Sequence, residues 1–194
     1  MSRYVAATAN VHKLIEMRAV LEPLGVTLDA RPAEIPDVDE IAETLEGNAQ
    51  MKALAVARLS GQPAIADDTG LFVAALGGRP GVRSARFAGD GASDADNVQL
   101  LLAELTDVPE GSRDAYFRTV IAVAEPDGRT TVVDGVLAGS IGFVARGRFG
   151  FGYDPVFVLP SPDGRTLAEL TLAEKSRLSH RARALRALAI LLGG

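Results

Sequence analysis

The sequence contains no cysteine, which excludes disulfides, a thiolate nucleophile and any thiolate metal site. It has only two histidines, His12 and His180, too few for a histidine-rich zinc site. Any metal is therefore expected to be a hard ion held by carboxylates, such as magnesium. No apolar run approaches the ~18 residues of a membrane span. The opening "MSRYVAATAN" lacks the apolar stretch of a secretory leader, so a cytoplasmic protein with no membrane partner is expected. The net charge of −5 argues against a broad basic surface and hence against a nucleic acid polymer as partner, while leaving room for a small anion held by a local cluster. Lysine is scarce: Lys13, Lys52 and Lys175 stand against 17 arginines. A chain that uses arginine so freely keeps lysine where a compact ammonium is needed, if the three fall beside other polar groups. They do.

The 194 residues, 47% hydrophobic, suffice for a single domain over 1–194 that buries most of its apolar surface. "RYVAAT" (3–8) reads as a buried strand and "HKLIEMRAVLEPLG" (12–25) as an amphipathic helix stopped by Pro23 and Gly25. Val26 to Leu28 is a short strand, Thr44 to Leu59 a helix, and "PAIA" (63–66) a strand. A glycine-rich loop spans 77–93, and Asp94 to Leu105 is helical. "DAYFRTVIAVAE" and "RTTVVDGVLAGSIGFVA" flank a Pro126-Asp127-Gly128 turn and predict an antiparallel hairpin. "DPVFVL" (154–159) is a further strand. The closing helix carries the stripe Leu178, Ala182, Leu185, Leu188, Leu192. The class is α/β (mixed α+β): a mixed sheet with helices on its faces and two lobes.

The adjacent acids of "AIADDTGLFV" (65–74) raise the main question, since a strand turns only alternate side chains to water. One answer is local: Asp68 or Thr69 caps a helix running through Leu71 to Ala75. Other stretches suggest chemistry. In "TANVHK" (8–13) a strand meets a helix N-terminus, where free N–H groups and the helix dipole favour a phosphate. Thr8, Asn10 and Lys13 add a hydroxyl, an amide and a cation; an ordinary Asn-capped helix with a solvated lysine reads the same. Asn48 and Lys52 lie one turn apart on one helix face, which is otherwise simply solvated. In "FGFGYDP" (149–155) two glycines between aromatics let the backbone approach something flat, and Phe151 is placed to stack on a base; a turn into a strand is the alternative. In "TLAEKSRLSHR" (171–181) Thr171 and Glu174 form a capping box. Ser179 caps a second helix there, putting His180 and Arg181 at its start as donors to an oxygen-rich ligand, or merely in a polar turn. Together these pieces supply a phosphate cradle, three lysines, paired carboxylates, a stacking aromatic and base-edge donors, the parts of a magnesium–nucleotide site.

In order and spacing from "TANVHK" to "SHRARAL", the chain resembles the inosine/xanthosine triphosphate pyrophosphatases. "IADDTGL", "PGVRSARF", "FGYDP" and "EKSRLSHR" carry the resemblance. It implies an elongated subunit with a central mixed, curved sheet flanked by helices, two lobes around a cleft, and a homodimer. It implies cleavage of deaminated purine nucleoside triphosphates (ITP, dITP, XTP) between the α and β phosphates. Asp68 matches the family's proton acceptor, which orients and deprotonates the attacking water. Glu40 with one or both of Asp67 and Asp68 would hold Mg²⁺, and the three lysines would neutralise phosphate charge. Substrate contacts are implied for Thr8, Asn10, Lys13, Lys52, Thr69, Phe151, Gly152, Tyr153, Asp154, Lys175, His180 and Arg181. Thr69 replaces the family's usual serine and keeps the hydroxyl. The family segment E-x-G-x-T-F-x-E-N-A here reads "EIAETLEGNA", with Ala42 for the glycine and Gly47 for the second glutamate. Spacing back from Asn48 selects Glu40 as the matching acid, with Glu43 and Glu46 close by.

Two other classes compete. A pyrimidine or modified-nucleotide pyrophosphatase of the septum-inhibitor-like group would share the fold, but "SHR" and "FGYDP" argue against it. A non-catalytic nucleotide sensor would have no need to gather carboxylates beside an anion.

Overall fold

The computed structural model describes residues 2–192. Its strands are β1 (Ser2–Ala6), β2 (Val26–Asp29), β3 (Ala64–Val73), β4 (Pro80–Gly81), β5 (Asp114–Ala124), β6 (Thr130–Ile141) and β7 (Phe157–Val158). Its helices are α1 (Val11–Leu21), α2 (Leu45–Ser60), α3 (Asp94–Glu104), α4 (Leu172–Leu178) and α5 (His180–Leu192). The sheet order is β2-β1-β3-β5-β6-β7, with β4 against β3. β1 runs parallel to β2 and β3, whereas β3–β4 and β6–β7 are antiparallel, so the sheet is mixed as expected.

The chain forms two compact units, and β3, β5 and β6 pass from one into the other. Among the described residues the first comprises 2–68, 119–136 and 176–192. There α1 and α5 pack on one sheet face around Tyr4, Met17, Leu21, Leu28, Ile65, Ile121, Leu185 and Leu188. Burying each such side chain is worth about 1.5–3 kcal/mol. Thr44 caps α2 by accepting from the Gly47 amide, and Gly61 ends it in a left-handed conformation. The Glu125 amide bonds the Arg129 carbonyl at 2.9 Å, closing the turn of the predicted hairpin. The second unit comprises residues 69–118 and 137–175. In it Phe72 stacks on Tyr116 and Phe117 packs on Phe157, with ring centroids 4.9 and 4.7 Å apart.

Four expectations need correction. β3 does not stop at Ala66 but runs to Val73, so neither Asp68 nor Thr69 caps a helix. The apolar, β-rich "LFV" keeps the ladder going beyond the acids. The strand expected over 154–159 is reduced to Phe157–Val158, because the preceding residues form turns held by Asp154. The glycine-rich loop holds β4 and a short 3-10 turn at Ser84–Arg86. The closing helix breaks at Ser179, whose hydroxyl accepts from the Ala182 amide, so Leu178 belongs to α4. Ala182, Leu185 and Leu188 keep their place in the core, with Leu192 packed against it.

Candidate active site

The two aspartates answer their own puzzle by facing opposite ways. Successive side chains of a strand alternate faces, and both faces of β3 are covered, so Asp67 and Asp68 are both buried, at 1% and 4% exposure. On one face Asp67 accepts from Arg181 Nε and Nη2 at 3.1 and 2.9 Å. Lys13 Nζ lies 3.3 Å from the same oxygen. Arg181 also bonds Glu16 on α1. Burial alone would raise the pKa of Asp67; Lys13, Arg181 and Lys52 outweigh it and hold the carboxyl far below its usual range. Asp67 is thus a fixed charge.

On the other face Asp68 accepts from Lys52 Nζ at 3.1 Å and from Asn48 Nδ2 at 3.3 Å. Lys52 also donates to Glu40 Oε1 at 2.6 Å and to the Asp67 carbonyl at 2.7 Å. The turn spacing of Asn48 and Lys52 therefore brings both to one carboxylate. They are buried rather than solvated. Burial pushes the pKa of Asp68 up to about 6, with the neighbouring Glu40 charge adding to the rise and Lys52 opposing it. Glu40 moves the other way: burial is outweighed by Lys52, and its pKa is lowered. Adjacent acids on one strand thus have opposite titration behaviour, one permanently ionised and one poised near neutrality.

The first turn of α1 is capped by Asn10, whose Oδ1 accepts from the His12 and Lys13 amides at 2.9 and 3.2 Å. Thr8 Oγ1 accepts from the Asn10 amide. The cap is the ordinary one, but Lys13 is not solvated; it reaches Asp67. Beside Thr8, Asn10 and Val11 opens a pocket of about 210 Å³, closed by Arg31 and Pro32.

In the second unit "FGFGYDP" forms a tight loop. Asp154 accepts from the Phe151 amide at 2.9 Å and from Lys175 Nζ, and the Gly152 amide donates to Asp94 at 2.7 Å. Gly150 has a φ of 75°, and a Cβ there would meet the Asp154 carboxylate, so the turn requires glycine. The Lys175 ammonium lies 5.1 Å from the centroid of the half-buried Phe151 ring. Phe151, Gly152 and Pro155 line an apolar pocket of about 430 Å³ with α3.

Several expected residues have protein partners here. Asp67 meets Arg181 and Lys13, whereas Glu40 and Asp68 both meet Lys52. Among the described residues no group of three or more histidine, cysteine or acidic side chains is arranged to hold a metal. The carboxylates that Lys52 joins are Glu40 and Asp68; Glu43 is exposed. Arg181, 2% exposed, bonds Asp67 and Glu16 through its guanidinium. Lys175 is held by Asp154 over Phe151 in the second unit, and Lys13 and Lys52 lie in the first. Tyr153 is a buried latch whose hydroxyl donates to the Ser84 carbonyl at 2.8 Å. Thr69 follows Asp68 on β3, half-buried.

Three partners were missed in the sequence. Glu16, three residues after Lys13, shares its helix face and binds Arg181; the spacing was the available signal. Thr119 bonds His180 from a strand 61 residues away, and Asp94 bonds Gly152 from 58 away; neither left a local trace. The two departures in "EIAETLEGNA" compensate each other. A Cβ at Gly47 would lie 2.7 Å from the Ala42 Cβ, so a side chain at 42 demands none at 47.

The Ham1 family model matches residues 4–190. The chain is 46% identical to the dITP/XTP pyrophosphatase of Streptomyces avermitilis over 192 residues, covering 97% of this chain and 96% of that one. It is 47% identical to the dITP/XTP pyrophosphatase of Geobacter sulfurreducens, covering 100% and 98%. A Ham1 protein from Coxiella burnetii superposes with a TM-score of 0.88 at 40% identity, covering 100% and 99%. The Ham1 protein of Staphylococcus aureus gives 0.84 at 36%, with the same coverage. Likeness of this extent in sequence and in fold means that the chain belongs to the Ham1 family.

Proposed function

We infer that this protein is a nucleoside triphosphate pyrophosphohydrolase. It converts ITP, dITP and XTP to the monophosphate and pyrophosphate, and so keeps deaminated bases out of DNA and RNA. The relatives' activity on dITP and XTP supports the substrate class. The observation that carries the mechanism is Asp68: a buried carboxyl pushed up to about 6, fixed by Lys52 and Asn48. A general base works best with a pKa near the working pH, and Asp68 is ionised yet still basic at neutrality. It takes a proton from water as the water oxygen bonds to the α phosphorus. The bond from that phosphorus to the bridging oxygen breaks, and pyrophosphate leaves. Lys13 and Lys52 offset the charge of the phosphate chain, and Asp67 with Arg181 fixes Lys13 in place. Phe151 stacks on the base, with Lys175 across its ring.

The residues fit magnesium. Glu40 and Asp68 offer hard oxygen donors, and that ion is characteristically held by one or two carboxylates plus substrate phosphate oxygens. When bound, it neutralises charge on the triphosphate. For base choice we assign His180, at the start of α5, as the donor, its ring buried against Thr119. Hypoxanthine and xanthine carry an acceptor oxygen at position 6, whereas adenine carries an amino donor there. A site built to hydrogen-bond one group rejects an analogue lacking it by about 10⁴ or more. The protein acts as a cytoplasmic homodimer, which light scattering on the purified chain tests for its assembly. Among the described residues no helix is long and apolar enough to cross a membrane.

The deciding assay is pyrophosphate release from ITP, dTTP and ATP, each with and without magnesium. ITP with magnesium should turn over far faster than the others. Preference for dTTP would replace the purine reading with the septum-inhibitor-like one, and no release from any nucleotide would leave a binding protein.

A further inference from the structure

The loop that carries Phe151 is held on both sides of that residue. Asp154 accepts from the Phe151 amide at 2.9 Å, and Asp94, at the start of α3, accepts from the Gly152 amide at 2.7 Å. These amides belong to the peptide planes before and after the Phe151 Cα. Rigid planes leave φ and ψ as the only backbone freedom between them, so pinning both fixes the direction in which the side chain leaves the loop. Asp154 does this from within the loop, whereas Asp94 is 58 residues away and reaches it only through the fold. We propose that Asp94 is a positioning residue for base binding: its carboxylate holds the Gly152 amide and so aims the Phe151 ring at the purine. This rests on Phe151 stacking on the base.

Asp94 stands on a firmly set helix start. Ser93 and Asp96 close a capping box around it, the Ser93 amide donating to Asp96 at 2.9 Å and the Asp96 amide to the Ser93 hydroxyl at 3.2 Å. One turn on, the buried Asn97 accepts from the Ala88 amide at 2.8 Å and donates to the Ala85 carbonyl at 3.1 Å. The same 84–88 segment takes the Tyr153 hydroxyl on its Ser84 carbonyl. The start of α3, that segment and the Phe151 loop thus close a circuit of hydrogen bonds within the second unit. The bond from Gly152 to Asp94 is its charge-assisted link beside the stacking residue. Released from Asp94, the loop has room to turn the ring aside: Asp94, Phe151 and Gly152 all line the apolar pocket of about 430 Å³.

Stacking on the base is remote from the reacting phosphorus, so it holds ground state and transition state alike, and its loss falls on KM rather than kcat. With magnesium present and well below Tm, Asp94→Ala should raise the KM for ITP by roughly tenfold, the worth of one hydrogen bond to a charged acceptor. Its kcat should fall by no more than about threefold. Asp94→Asn keeps an acceptor oxygen and should return KM to within about threefold of wild type, whereas a carboxylate serving only the α3 dipole would leave the two variants alike. In a Phe151→Ala background, itself raised in KM, Asp94→Ala should add less than about twofold. An unchanged KM in folded Asp94→Ala, equal losses in the alanine and asparagine variants, or a full further loss on top of Phe151→Ala each overturns the proposal and leaves base stacking standing. If Phe151→Ala does not raise KM, the stacking reading fails and the proposal falls with it. Should Asp94→Ala fail to fold, Asp94→Ser, whose oxygen stops one bond short of Gly152, takes its place.

Discussion

Replacing each of the adjacent aspartates by asparagine should move stability in opposite directions. Asp67 is a buried carboxylate shared by Arg181 and Lys13. Asp67→Asn leaves the Arg181 guanidinium, 2% exposed, with Glu16 as its remaining acid partner among the contacts described above. Breaking a buried ion pair costs about 3–5 kcal/mol. In a chain of this length 1 kcal/mol moves Tm by about 2–4 °C, so Asp67→Asn should lower Tm by about 6–20 °C. Asp68 is the reverse case. Its carboxyl rises from an ordinary 3.8 to about 6 in the folded state, so ionising it opposes folding by about 3 kcal/mol at most. Asp68→Asn mimics the protonated form and should leave Tm unchanged or raise it by up to about 10 °C at pH 8. The signs follow from linkage. A raised carboxyl binds more protons folded than unfolded, so wild-type stability falls as pH climbs from about 4 through about 6. A depressed one gives stability that is present above the unfolded value and lost as pH drops below it. The advantage of Asp68→Asn over wild type should therefore vanish by about pH 4. The assay is thermal unfolding in EDTA from pH 4 to 8, with metal removed so that the bare carboxylates are compared. If Asp68→Asn loses as much as Asp67→Asn at pH 8, the assignment of one fixed and one poised charge is wrong.

The remaining predictions concern the catalyst and its frame. Asp68→Asn should cut turnover by roughly 10²–10⁴ while magnesium-dependent nucleotide binding, read by calorimetry, largely persists; more than a tenth of wild-type turnover would remove Asp68 as base. EDTA should abolish pyrophosphate release and magnesium restore it without zinc, and full activity in metal-free buffer would overturn the carboxylate–magnesium reading. Arg181→Ala should depress ITP and residual ATP hydrolysis alike, leaving their ratio unchanged, because its guanidinium serves Asp67 and Glu16; a collapsed ratio would return Arg181 to base recognition. Gly47→Ala, which elsewhere in a helix gains stability, should here cost about 1–3 kcal/mol by denaturant unfolding. Adding Ala42→Gly should recover most of that loss, and additive effects would refute the compensation.

Local pattern alone determined the elements whose signals lie within a few residues. The Asn10 cap, the Thr171–Glu174 box and the 126–128 turn are legible because each is set by residues close to the backbone groups they answer. The scarcity of lysine likewise singled out Lys13, Lys52 and Lys175, and all three meet carboxylates. The order of motifs was enough to give the family. What the sequence could not decide was direction. Whether β3 ends at Ala66 or runs on depends on partners for its backbone, and β4 lies across it at Leu71 and Phe72. Two neighbouring acids look equivalent in a string of letters. They differ because α1 and α5 bring Lys13 and Arg181 to one face of β3, while α2 brings Asn48 and Lys52 to the other. Arg181 reads as a donor for ligands until folding buries it against Glu16, 165 residues away, and Asp94 has no visible role until α3 sets it against Gly152. Charge, burial and proton position are properties of neighbours in space, and only the tertiary structure supplies them.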